Sequence, residues 1–390
     1  MACVKSSDSP IAPLIGIDAS RALRARRTGT ERYAWELIRR LVRLGDGGHV
    51  RYRLYADRPP TPEERAATPG AEWVVRRLPR LWTHLALAPE LARRPPDVFF
   101  EPAHVLPLTC PPASVVTVHD LGYEHFPEAH TAFQRWYLRL TTRWHVRAAR
   151  LLLADSRATR DDLVNRYGAD PSRIEVVYPG IDLEAFGPVR DPAVLERVRA
   201  RYAGGARYVL YVGTLQPRKN VERLVRAFAR VAAEVPDLVL VLAGKPGWHV
   251  DPLRRLMARE GLGERVRMPG YVPEEDLPAL LSGAEVFAFP SLFEGFGFPV
   301  LEAQACGTPV LTSTASSLPE VAGDAALLVD PFDVGAIAAG LRALLDDADL
   351  RRRLVERGFA NVQRFTWDRA ARQVYSLLGT LLREQEGNDE

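Results

Sequence analysis

The sequence predicts an α/β protein, and three features carry that reading. Short apolar runs alternate with stretches of helical apolar spacing, the pattern of strands joined by helices in a parallel sheet. At 390 residues the chain is too long for one ordinary core and fits two domains, or a single large one. A polar stretch at 188–205, with one short helical patch, divides the runs into two series.

The first series, residues 1–185, opens with a strand at 14–17 that ends in the polar Asp18-Ala19-Ser20. A loop follows at 21–29, and its Arg24, Arg26 and Arg27 read as a solvated basic segment, with phosphate contact as the alternative. A helix over 30–44 then places Tyr33, Leu37, Ile38 and Leu41 on one side. Further strands fall at 50–55, 73–75, 98–100, 115–118 and 151–154. The run at 115–118 leads directly into His119-Asp120, and open α/β sheets meet their ligands outside such strand ends. A helix over 132–150 carries Phe133, Trp136, Tyr137, Leu140 and Trp144 on one side and Arg135, Arg139, Arg143 and Arg147 on another. It is read as packed on the core with a basic face in solvent; the competing reading is a helix lying on a membrane surface.

The second series, residues 206–366, repeats the alternation with strands at 208–212, 238–242, 266–268, 286–289, 310–312 and 327–329. The strand at 208–212 ends in Gly213-Thr214-Leu215-Gln216-Pro217-Arg218-Lys219-Asn220, followed by an amphipathic helix. A glycine-bearing loop with two adjacent cations at a helix start suits phosphate, since Arg offers a planar fork and Lys a point charge. Helices at 334–345, 350–362 and 369–382 follow, and the acidic end at 384–390 reads as frayed.

Composition removes several classes. Hydrophobic residues at 47% and charged residues at 26% are globular values. Cys3, Cys110 and Cys306 lack metal-ligand spacing, and an odd number argues against a disulfide framework, so a reducing cytoplasm fits best. No continuous apolar segment reads as a signal peptide or a membrane span. The net charge of +3 divides into +5 over residues 1–185 and −2 over the rest. Such a bias could favour an anionic membrane surface or an anionic substrate, and it is far too weak to argue for nucleic acid. Asp347-Ala348-Asp349 could be mistaken for a metal motif, but an Asp just before Leu350 is better explained as a helix N-cap.

The chemistry concentrates in residues 287–331. An apolar run breaks at Pro290, a glycine-rich loop follows, and Pro299 stands where a helix would begin. Gly295 and Gly297 free backbone amides for a ligand, and the helix start adds partial positive charge. Glu294 and Glu302 flank the loop. Paired acids first suggest a glycosidase, yet the eight-residue interval would span roughly 12 Å as a helix, against about 5 to 9.5 Å for hydrolytic pairs. Because the loop can bend, this weakens the hydrolase reading and leaves it open.

Glu294 and Glu302, inside Phe-Pro-Ser…Glu-Gly-Phe-Gly-Phe-Pro…Glu-Ala…Ala-Cys-Gly-Thr-Pro-Val, resemble the signature of the retaining GT-B glycosyltransferases of family 4. The resemblance extends to Gly213–Asn220, to His119-Asp120 and to the turn at 178–182, nearly the full chain. It implies two Rossmann-like domains facing each other across a donor-binding cleft, with a final helix at about 367–384 crossing back to the first. It implies transfer of a sugar from a nucleoside diphosphate sugar to a glycan, lipid-linked or small-molecule acceptor, with no cofactor and no metal. The implied catalytic set is Glu294, Arg218, Lys219 and His119. Glu294 would bind donor sugar hydroxyls, Arg218 and Lys219 the leaving diphosphate, Glu302 the ribose, and the amides of Gly295, Phe296, Gly297 and Phe298 the sugar or phosphate. Gly213 and Thr214 would flank the diphosphate, Val272 the nucleobase, and Asp120 the donor sugar. Gly29 and Thr30 belong to a first loop that meets donor phosphate and acceptor. Relatives commonly carry a second glycine where Glu31 stands here, which puts close backbone approach at that position in doubt. The motifs look most like those of bacterial mannosyltransferases making polysaccharides, which implies GDP-mannose. A UDP-sugar enzyme, an epimerase and a silent sugar-nucleotide-binding protein are the alternatives, and a location at the inner face of the cell membrane is compatible with each.

Overall fold

The computed structural model describes residues 12–386 apart from 26, 28, 46–47, 79–80, 104, 246 and 248–249. Cys3, Arg26, Thr28 and the last four residues of the acidic end therefore lie outside the described residues.

Strands β1 (Leu14–Asp18), β2 (Arg51–Ala56), β3 (Glu72–Val75), β4 (Val98–Glu101), β5 (Ser114–Val118), β6 (Leu151–Ala154) and β7 (Ile174–Val176) form one parallel sheet in the order 3-2-1-4-5-6-7. Strands β8 (Arg207–Val212), β9 (Leu238–Ala243), β10 (Val266–Gly270), β11 (Val286–Phe289), β12 (Val310–Ser313) and β13 (Leu327–Val329) form a second parallel sheet, ordered 10-9-8-11-12-13. Both are doubly wound. In such sheets the strand order reverses beside the first strand, so each opens a crevice there, at the carboxyl ends of β1 and β4 and of β8 and β11. Helices cover both faces, which is why the central strands are apolar without alternation: all five residues of β1 and all six of β9 are buried. The strand β7 carries no sequence signal, because its three residues include only one buried side chain, Ile174.

The helices bury the faces their spacing predicts. Helix Gly29–Leu44 buries Tyr33, Leu37, Ile38 and Leu41, and helix Val221–Ala232 buries Leu224, Val225, Phe228 and Val231. The final helix, Trp367–Glu386, crosses back: Trp367, Ala371, Val374 and Leu378 sit in the first core with Leu37 and Leu41. The two crossings between domains run side by side. Ile181 N–H donates to Phe365 O at 2.9 Å, and a Cβ on Gly180 would lie 2.1 Å from Trp367 N, so only hydrogen fits between the two chain segments.

Three local readings change. The polar stretch is not a plain linker, because helix Pro192–Ala203 places Val198, Tyr202 and Ala203 in the second core. The basic loop is not simply solvated either: Arg24 pairs with Asp57 at 2.8 Å, and Arg27 pairs with Glu64 while lying over the Trp35 ring. Helix Ala132–Ala148 turns Thr141, Thr142 and His145 inward and leaves Phe133, Trp136 and Leu140 exposed. Polar bonds fix that rotation, since Tyr123 donates to Thr142 at 2.8 Å and Leu106 N–H donates to His145 Nε2 at 3.3 Å. By contrast, the N-cap expectation holds, with Asp347 accepting from Leu350 N–H at 2.8 Å.

Candidate active site

The loops after β8 and β11 are bonded to each other at the second crevice. Leu292 N–H and the Ser291 hydroxyl both donate to Arg218 O, at 2.8 and 3.0 Å. Asn220 adopts a left-handed conformation, φ +61°, and its amide donates to Pro290 O at 2.9 Å and Pro331 O at 2.6 Å. Asparagine suits this place because it tolerates that backbone and ties the helix start to two neighbouring loops.

These ties converge Arg218, Lys219 and Glu294. Lys219 Nζ lies 2.6 Å from Glu294 Oε1 and 2.7 Å from Oε2. Arg218 reaches Glu294 Oε2 at 3.2 Å and Phe293 O at 3.0 Å. Burial alone would raise the Glu294 carboxyl, but Lys219 and Arg218 outweigh it and hold the group below its ordinary value. Burial lowers the Lys219 ammonium in turn, with Glu294 pulling the other way, and counted formally the two cations and one carboxylate leave one positive charge. Ser316 and Ser317 complete the cradle by donating to Glu294 O, at 2.5 and 2.9 Å.

Glu302 occupies a different environment. It lines a cavity of about 330 Å³ beside the ends of β8, β9 and β10, together with Gly213, Thr214, Lys245, Tyr271, Val272 and, from the first domain, Arg32. Burial pushes its carboxyl up to about 7, with Arg32 pulling the other way and Glu274 adding to the rise. Gly213 and Gly244 shape the entrance, both in positive-φ conformations that favour glycine. A Cβ on Gly244 would sit 2.0 Å from Gly213 O, so this close approach of two strand ends requires glycine.

The glycine-rich loop divides its duties. A Cβ on Gly295 would lie 2.2 Å from His119 O, so its missing side chain makes room for the opposite domain. Gly297, φ +121°, starts helix Phe298–Ala305. The Phe296 ring is buried against Tyr178, Phe298 and Phe365, which leaves only its backbone for a ligand. Phe298 faces Gly29 across the cleft at 3.7 Å from the position of a Gly29 Cβ. Helix Gly29–Leu44 begins there with Gly29 and Thr30, so two helix N-termini approach one another.

His119 sits at the end of β5, with Nδ1 2.7 Å from Asp155 Oδ2 and Nε2 2.9 Å from Pro102 O. Both nitrogens face oxygen atoms that can accept, an arrangement that favours the protonated ring, although burial also raises the Asp155 carboxyl. Burial opposes that charge, yet Asp155 and the Pro102 carbonyl hold the histidine above its ordinary value. Any catalytic contact through this ring, the role the family resemblance implies for it, therefore requires exchange of an existing bond. Asp120 is exposed, accepts from Gly122 N–H at 2.8 Å, and lines a small cavity with Pro217 and Arg218.

Sequence reasoning missed Asp155, Lys245, Arg32 and Glu320. The first two follow strands β6 and β9, and the strand-end rule that picked out His119 applies equally to them. Arg32 and Glu320 carry no local signal, because each acts across the cleft. Glu320 accepts from Arg157 N–H and Ala158 N–H, both at 3.1 Å, and so caps a first-domain helix from the second domain.

Residues 27–185 match the family described as Glycosyltransferase Family 4, and residues 196–360 match that described as Glycosyl transferases group 1. The O-antigen chain mannosyltransferase B of Escherichia coli is 35% identical over 271 residues, which cover 68% of this chain and 70% of that one. The chain is a family 4 glycosyltransferase. The MMP alpha-(1->4)-mannosyltransferase of Mycolicibacterium hassiacum is 34% identical over 67% of this glycosyltransferase and 64% of its own length. Sucrose-phosphate synthase of Thermosynechococcus elongatus superposes with a TM-score of 0.73 at 23% identity, covering 95% of this chain and 100% of that one. HepE of Anabaena, solved with UDP-glucose, gives 0.71 at 20% identity over 94% and 99%. These two likenesses establish the GT-B fold of the glycosyltransferase.

The Glu302 carboxyl yields a pH signature. In the folded glycosyltransferase it holds its proton to about 7 rather than 4.5. The native state therefore binds more protons than the unfolded state across that window, and this group's contribution to stability falls as pH rises from 4.5 toward 7. Glu302→Gln removes the titration. Its denaturation midpoint should be flatter with pH than the wild type's over the window; identical pH profiles would refute the assignment.

Proposed function

We propose that this glycosyltransferase moves a mannosyl unit from GDP-mannose to an acceptor hydroxyl in glycan or polysaccharide synthesis, with retention of anomeric configuration and without a metal. The observation that carries the reading is the cluster of Arg218, Lys219 and Glu294 beside the Glu302 cavity. The names of two relatives, both mannosyltransferases, support the sugar. The guanine nucleotide rests on the likeness of the 213–220 and 118–121 motifs to bacterial mannosyltransferases.

In this reading the acceptor oxygen bonds to the anomeric carbon as the bond to the diphosphate breaks, and the electron pair leaves on the phosphate oxygen. The acceptor proton passes to that departing oxygen on the same face of the sugar, which preserves configuration. Negative charge grows on the leaving group, and fixed cations stabilise charge that develops in a transition state more than they stabilise the bound substrate. Arg218 and Lys219 supply them, the helix start at Phe298 adds partial charge, and Glu294 orients sugar hydroxyls. Glu302 accepts from the ribose, next to the base pocket at Val272.

Three outcomes follow. GDP-mannose at about 100 times its Kd should stabilise the protein by about 2.7 kcal/mol in a thermal-shift titration; stabilisation by UDP-glucose with none by GDP or GDP-mannose would remove the donor assignment. Glu294→Gln should lower turnover roughly a hundredfold, the scale for losing one preorganised polar contact, with folding intact by circular dichroism. Nucleoside diphosphate release should survive excess chelator, and Arg218→Ala should cost far more activity than Asp347→Ala. Activity lost in chelator and restored by magnesium or manganese would place the leaving-group charge elsewhere.

A further inference from the structure

A groove runs out of the candidate active site along the seam between the domains. Its inner section, of about 250 Å³, is lined by Asp120, Glu128 and His130 from the first domain and by Gln216, Pro217 and Arg218 from the second. Its outer section, of about 240 Å³, is lined by the apolar Leu215, Val221, Leu253 and Leu292, with Phe126 from the first domain. Glu128, Gln216 and Pro217 line both sections, so the two adjoin. Each lies below the range of about 300 Å³ upward that holds a drug-sized ligand, and so suits a unit of one ring.

The polar side chains at the junction stand on fixed backbone and are unused. Gln216 opens the turn Pro217–Lys219, and its carbonyl accepts from Lys219 N–H at 2.9 Å. Glu128 sits in the turn Pro127–Ala129, where Ala129 N–H donates to Phe126 O at 3.0 Å and His130 N–H to Pro127 O at 3.3 Å. Among the described residues, however, the Gln216 amide, the Glu128 carboxylate and the His130 ring form no hydrogen bond or ion pair. An amide both donates and accepts, a carboxylate accepts, and hydroxyl groups answer to each. Charge argues against an anionic occupant. Asp120, Glu128 and Glu222 line the groove, whereas Arg218 is already paired with Glu294, and Arg223 donates to Asn220 Oδ1 at 2.9 Å and lies over the Phe332 ring. A lipid chain fits no better, because Asn220, Glu222 and Arg223 interrupt the apolar lining.

We propose that this groove binds the acceptor, a neutral oligosaccharide of at least two sugar units, with the terminal unit in the inner section beside Arg218, the next against Phe126, and Gln216 and Glu128 bonding hydroxyls at the junction. The inference rests on the transfer reaction proposed above and adds the class of acceptor. In that reaction the acceptor oxygen arrives on the face from which the diphosphate leaves, and Arg218, assigned to the diphosphate, forms one wall of the inner section. An aromatic face is electron-rich and attracts the polarised C–H groups of a sugar ring, which Leu at the same place would not do.

Nucleoside diphosphate release from GDP-mannose, measured with mannose, the α-linked mannobioses, maltose, lactose and mannose-6-phosphate as acceptors, tests it. At least one disaccharide should be used with a kcat/KM roughly tenfold above that of mannose, the effect of one or two added hydrogen bonds. Gln216→Ala and Glu128→Ala should each lower that preference roughly fivefold, and Phe126→Leu, which keeps the apolar contact and loses the ring face, should lower it as well. The ratio between two acceptors is the readout because a general loss of structure lowers both alike. Disaccharides no better than mannose, mannose-6-phosphate preferred to every disaccharide, or a preference untouched by the three substitutions would each overturn the proposal. If GDP-mannose neither shifts the melting temperature nor yields GDP, the donor reading fails by itself. Titration calorimetry of the same sugars onto the wild type and the three variants then decides the groove by the same ratio.

Discussion

One buried carboxylate organises the second crevice. Glu294 is nearly inaccessible to water, and a charge in that position must be paired and hydrogen-bonded or surrender its ionisation. Its compensation comes from Lys219 and Arg218, in a loop roughly 75 residues earlier in the chain. The loops after β8 and β11 must therefore meet, and their backbones are fastened accordingly through Leu292, Ser291 and Asn220. Removing one partner of such a set costs more than the set contributes when intact, because it leaves an unpaired charge behind. The same set retains one positive charge, which a carboxylate paired with a single lysine would have cancelled.

The cleft is held at two places that differ in kind. At the crossing, Gly180 and the Ile181–Thr366 bridge bring two chain segments within a distance that excludes any side chain. At the mouth, Gly295 packs on the His119 carbonyl, Thr159 bonds toward both His119 O and Gly295 O, and Glu320 caps helix Arg157–Tyr167. The crossing is backbone against backbone and does not depend on charge. The mouth combines single polar contacts between domains, each worth about 0.5 to 1.5 kcal/mol net, with the Phe293 ring stacked on His125 at 4.4 Å.

Legibility in the sequence followed the range of the interaction. Strands buried on both faces announced themselves as apolar runs, and Asp347 and Pro299 announced helix starts, because those signals are local. The Glu294 to Glu302 signature and the Arg218-Lys219 pair were found for the same reason: each lies within one strand-loop-helix unit. The rotation of helix Ala132–Ala148 was not legible, since hydrogen bonds to Tyr123 and Leu106, distant in the chain, overrode its apolar spacing. Helix Pro192–Ala203 was legible only as a short helical patch, and its place in the second core was not, because only Val198, Tyr202 and Ala203 are buried among charged neighbours. Arg32 and Glu320 gain meaning only once the domains face each other. His119 was located by position, but its engagement with Asp155 and Pro102 depends on two other strand ends.

The same geometry decides what the acid pair does. A carboxyl held above its ordinary range beside one held below it is the electronic pattern of a glycosidase, in which one acid donates a proton and the other attacks or activates water. Glu302 and Glu294 show that pattern. Their surroundings refuse the chemistry. Both oxygens of Glu294 lie against Lys219, with Arg218 on one of them, so the carboxylate is held as an ion-paired acceptor and would have to leave that pairing in a buried site to attack an anomeric carbon. Glu302 lines a cavity with Gly213, Val272 and Arg32 at the ends of β8 to β10 that does not include Glu294. The two acids therefore differ in proton affinity for separate physical reasons: two cations hold Glu294 below its ordinary value, and burial raises Glu302 to about 7.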